Sequence, residues 1–104
     1  MAEWIDIAPE AELPAGGRKV VDTVAGKIAV FNLDNAYFAI EDVCTHDGGE
    51  LASGKMDGDQ IICPRHGARF CVRNGKALTA PAYEDVETFP VRVEDGMVQV
   101  DIGF

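Results

Sequence analysis

Histidine and cysteine are scarce in this chain of 104 residues. It has His46 and His66, with Cys44, Cys63 and Cys71, so imidazole and thiol chemistry is confined to five side chains. Three cysteines do not make a disulfide framework. Bases are scarce as well: nine Lys and Arg stand against eighteen Asp and Glu, a formal net charge of −9. Phosphate backbones and anionic lipid demand clustered Lys and Arg, so neither nucleic acid nor a membrane is expected as a partner. No apolar run approaches the ~18 residues of a membrane-spanning helix. The opening Met1-Ala2-Glu3-Trp4 lacks the basic and apolar regions of an export signal, and a cytoplasmic location is expected. Nucleophile–base pairs, phosphate loops and flavin fingerprints are missing too.

Helical periodicity is nearly absent. Apolar residues alternate in short runs broken by turn residues every 8–12 positions, the pattern of a small all-β sandwich or barrel. Strands are expected at Glu3–Ile7, Lys19–Val24, Lys27–Leu33, Tyr37–Glu41, Gln60–Cys63, Arg69–Val72, Glu87–Glu94 and Met97–Ile102, with one helical turn in Glu10–Leu13. Asp34-Asn35, Asp57-Gly58, Asn74-Gly75 and Asp95-Gly96 supply hairpin tips that accept positive φ. The length suits one domain, 1–104. Trp4, Phe31, Phe38, Phe70 and Phe89 are expected in the core, and Cys71 as a buried strand residue.

Residues 43–73 break the alternation. Every Cys and His falls there, and Lys55–Lys76 holds five of the nine bases against two acids, Asp57 and Asp59. Cys44-Thr45-His46 and Cys63-Pro64-Arg65-His66 give C-x-H, sixteen intervening residues, then C-x₂-H. Thiolates and imidazoles are the donors of transition metals. A closed structural zinc site is one reading of two Cys and two His. The other is a [2Fe–2S] cluster in which two cysteines hold one iron and two histidines the other. The second is favoured because each box supplies one Cys and one His in that order, whereas zinc knuckles more often pair like with like.

At these boxes the sequence resembles the Rieske ferredoxins, in particular the small ferredoxin components of bacterial ring-hydroxylating oxygenase systems. The resemblance runs through Phe31-Asn32-Leu33, Tyr37–Asp42, both boxes, Phe70–Lys76 and Phe89-Pro90-Val91-Arg92-Val93. It implies an all-β fold, a Rieske-type β-sandwich base with a small cluster-binding subdomain inserted between hairpins. It implies one [2Fe–2S] cluster, with Cys44 and Cys63 on an inner iron and His46 and His66 on an outer, solvent-facing one. It further implies a monomeric one-electron carrier, not an enzyme, working between a flavin-dependent reductase fed by NAD(P)H and a terminal oxygenase. A mononuclear oxygenase iron needs two more histidines and a carboxylate, and the chain has only His46 and His66 and is too short for that domain. Alternatives are the Rieske small subunit or accessory of another redox enzyme, such as nitrite reductase, and a zinc-stapled interaction module.

The chain departs from the Rieske proteins of respiratory complexes. Gly49 and Arg65 stand where those carry a disulfide, and Ala68 and Phe70 where they carry hydroxyls. Fewer donors stabilise the reduced charge less, so a low potential is expected. Glu41, Asp42, Asp47 and Glu50 flank one box, and Arg65 and Arg69 the other, giving an expected mixed-charge rim around Pro64, Gly48 and Gly67. Tyr83 is expected to pack at the base of the loops.

Overall fold

Ile28-Ala29-Val30-Phe31 is an unbroken apolar run, and a strand sends successive side chains to opposite faces, so this segment needs cover on both sides. The computed structural model, which describes residues 2–45, 48–80, 82 and 84–103, provides it. The run lies in β3 (Gly26–Leu33), in an antiparallel sheet with β2 (Arg18–Thr23), β4 (Ala36–Glu41) and β8 (Thr88–Phe89), ordered β2-β3-β4-β8. Ile28 and Val30 join one core with Ile7, Leu13, Ala39, Val98 and Val100. Ala29 and Phe31 join another with Ile40, Leu51, Ile61 and Phe70. Burying each large side chain stabilises by roughly 1.5–3 kcal/mol, so the central sheet cements both layers.

The first core is closed by β1 (Trp4–Pro9), β10 (Met97–Asp101) and β9 (Val91–Glu94), a three-stranded antiparallel sheet. The second is closed by β5 (Lys55–Asp57), β6 (Gln60–Ile62) and β7 (Arg69–Cys71). The described residues thus form a nearly all-β fold with one 3₁₀ turn at Glu10–Glu12. None of their helices is long and apolar enough to cross a membrane.

Most expected strands form, with three differences. β5 was not foreseen; Lys55-Met56-Asp57 is too short to show alternation, although the Asp57–Asp59 tip was. The expected Glu87–Glu94 strand breaks at Pro90, which has no N–H for a ladder: β8 pairs with β4, and β9 with β10. Cys71 lies on a strand but is half-buried. Phe31 and Phe70 are fully buried, Phe38 and Phe89 half-buried, and Trp4 lies half-buried beneath the Arg92 guanidinium, 4.2 Å from its ring centre. The two acids of the basic stretch neutralise their own neighbours, Asp57 meeting Arg69 at 2.8 Å and Asp59 meeting Arg73 at 3.2 Å.

Candidate metal centre

Each expected ligand box is a loop at the edge of the second core. The first leaves β4; the second joins β6 to β7. Their backbones follow one plan. In the first, the Cys44 N–H donates to the Gly49 carbonyl at 2.6 Å and the Gly48 N–H to the Cys44 carbonyl at 2.7 Å. In the second, the Cys63 N–H donates to the Ala68 carbonyl at 2.7 Å and the Gly67 N–H to the Cys63 carbonyl at 3.1 Å. The fourth residue after each cysteine takes a left-handed backbone, φ 76° at Gly48 and 73° at Gly67. Glycine alone does so without a Cβ penalty.

Burial separates the donors. Cys44 and Cys63 are buried within the second core, whereas Pro64, Arg65, His66 and Gly67 are exposed. Thiols therefore lie inward and the His66 imidazole outward. His46, Asp47 and Tyr83 lie outside the described residues. Among the described residues no three His, Cys, Asp or Glu side chains gather closely enough to hold a single ion. Two buried thiols with an exposed imidazole suit a [2Fe–2S] centre that takes thiolates on one iron and imidazoles on the other.

The surroundings are apolar where hydroxyl donors were expected to be missing: Ala68 and Phe70 are both fully buried. The Thr45 hydroxyl donates to the Glu84 carbonyl at 2.6 Å, tying the first loop to the segment before β8. The expected charged rim is thinner than foreseen. Asp42 is buried, Glu41 half-buried, and Arg69 half-buried against Asp57; Glu50 and Arg65 are exposed.

Two features escaped the sequence reading. One is the recurrence of the loop plan at Cys71, whose N–H donates to the Lys76 carbonyl at 2.9 Å and whose carbonyl accepts from the Gly75 N–H at 2.7 Å. Its signal was present as a glycine four residues after each of the three cysteines. The other is Asp42, whose Oδ1 accepts from the Leu51 and Ala52 N–H groups, both at 2.8 Å; nothing in the sequence marked it as buried.

A family model described as the Rieske [2Fe-2S] domain matches residues 3–90, and the chain belongs to that family, with a Rieske-type [2Fe–2S] cluster as its cofactor. Within it, the chain is a ferredoxin, an electron carrier. It is 38% identical over 95 residues to the ferredoxin subunit of the 3-phenylpropionate/cinnamic acid dioxygenase of Shigella flexneri, covering 90% of this chain and 89% of that one. It is 32% identical over 100 residues to the ferredoxin component of the naphthalene 1,2-dioxygenase system of Pseudomonas aeruginosa, with 96% of each covered. A chain in the complex of reduced oxygenase and oxidized ferredoxin of carbazole 1,9a-dioxygenase superposes with a TM-score of 0.89 at 32% identity, covering 94% of this chain and 92% of that one.

Proposed function

We propose that this protein passes single electrons from a flavin-dependent reductase, fed by NAD(P)H, to a terminal ring-hydroxylating oxygenase in the cytoplasm, and that residues 1–104 act as one unit. The observation carrying this reading is the division of donors, with buried thiols behind an exposed His66. Cys44 and Cys63 would hold the inner iron, and His46 and His66 the outer one. A bound Rieske cluster supplies reversible one-electron chemistry. The chain's own part is to shelter the thiolates, to aim the imidazole edge at the surface and to present a rim that partners can leave quickly. The likeness to ferredoxins of aromatic dioxygenases supports the choice of system, and the carbazole complex supports an oxygenase as acceptor. A relay must release each partner, so each interface should bury less than about 1,200 Å².

The test is reconstitution. The purified holoprotein is mixed anaerobically with the reductase of a naphthalene dioxygenase system and NADH. The terminal oxygenase and naphthalene are then added with air. The account expects bleaching in the first step and ferredoxin-dependent product in the second. A holoprotein that the reductase cannot reduce, or that supports no product although reduced, would remove the respective partner from the proposal.

A further inference from the structure

The first loop is held at both ends by side chains outside the two boxes. Asp42, just before it, donates its backbone N–H to the Lys27 carbonyl on β3 at 2.8 Å. Its Oδ1 reaches across the loop to the N–H groups of Leu51 and Ala52. The Ala52 carbonyl in turn accepts from the Arg18 guanidinium on β2 at 2.6 Å, and the same nitrogen donates to the Gly54 carbonyl at 2.6 Å. The residues on either side of the loop are thus tied to each other and to two strands of the central sheet.

We propose that Asp42 and Arg18 form a clasp that positions the first ligand loop, acting on the cluster through Cys44; this rests on the reading of Cys44 as a ligand. The segment between β4 and β5 has no ladder to fix it, and its amides need other partners. A carboxylate accepting two N–H groups makes stronger bonds than a neutral acceptor. The whole grip comes through one oxygen: Asp42 is only 5% exposed, and its Oδ2 is buried with no hydrogen-bond partner. A neutral amide of the same shape preserves that oxygen at the cost of the charge and of an amide N–H with no acceptor. Groups that orient metal ligands typically change metal retention 10–100-fold when removed.

The experiment uses holoprotein variants Asp42→Ala, Asp42→Asn and Arg18→Ala. It reads the rate of iron loss to a chelator and the EPR line shape of the reduced state. Asp42→Ala should lose iron about tenfold faster and broaden the signal, and Arg18→Ala should move both readouts in the same direction. Asp42→Asn keeps the accepting oxygen but loses the charge and buries an amide N–H where Oδ2 has no partner, so it should fall between the unaltered protein and Asp42→Ala. If Asp42→Ala does not fold, Arg18→Ala decides. Iron loss and line shape unchanged in the folded variant would overturn the clasp. Failure of the ligand reading looks different: Cys44→Ala would then retain a complete visible spectrum.

Discussion

Cys44 and Cys63 occupy the same place in two loops of the same construction, each donating its amide to the carbonyl five residues on and accepting from a glycine four residues on. Two loops of one construction would suit a cofactor taking one thiolate from each, as proposed above. They differ in where the imidazole falls, two residues after Cys44 and three after Cys63.

The glycines closing these loops should be replaceable only at a cost in backbone strain. A Cβ at Gly48 or Gly67 meets no other protein atom within 4 Å, so contacts within the chain add nothing to the backbone cost. Ala at either position should destabilise the holoprotein by about 1–2 kcal/mol through the left-handed backbone alone. Thermal unfolding measures this; equal stability would show that the loop relaxes to another backbone without penalty.

The reduction potential should lie at the low end of the Rieske range, around −150 mV. Ala68 and Phe70 are buried beside the second loop and bring no hydroxyl. Ala68→Ser or Phe70→Tyr should raise the potential by adding a donor that favours the reduced, more negative state. Voltammetry checks this, and a midpoint above roughly +100 mV in the unaltered protein would contradict it.

Asp101 couples the sheet β1-β10-β9 to pH. The N–H groups of Glu3, at 2.7 Å, and Gly103, at 2.8 Å, both donate to its Oδ1 and hold its carboxyl below the usual aspartate value of 3.8. A depressed folded value stabilises above the unfolded value and is lost as pH falls through the folded one. The gain should therefore be complete at neutral pH and fade below about 3.8. Asp101→Asn should flatten this part of the stability–pH curve, and parallel acid-unfolding curves for the two proteins would refute the assignment.

Docking should depend on Arg65, exposed two residues from Cys63. Arg65→Glu should slow electron transfer to the oxygenase without altering the visible spectrum, and the effect should shrink as salt rises past ~0.15 M. Stopped-flow rates unchanged across a salt series would remove Arg65 from the interface.

Much of this was legible in the sequence because it is local. The paired left-handed residues at Asp34-Asn35 and Asp95-Gly96 stand where the turn chemistry placed them. The alternation in β3 and β4 assigns Val30 and Ala39 to one core and Phe31 and Ile40 to the other. What was not legible depends on contacts distant in the chain. Asp42 reads as one more surface acid until Leu51 and Ala52 are folded against it, and nothing local to Arg18 marks its reach across to the Ala52 carbonyl. The break at Pro90 turns on which sheet each half joins, which the local sequence of Glu87–Glu94 does not reveal.

The most direct test of the account is a nitrogen-hyperfine EPR measurement on the reduced protein grown with ¹⁵N-histidine. It predicts two coupled histidine nitrogens, one lost in His46→Ala and the other in His66→Ala if any cluster remains, with both retained in Cys71→Ala. A colourless zinc-loaded protein, or a [2Fe–2S] signal with no histidine coupling, would contradict the assignment of Cys44, His46, Cys63 and His66 as the ligands.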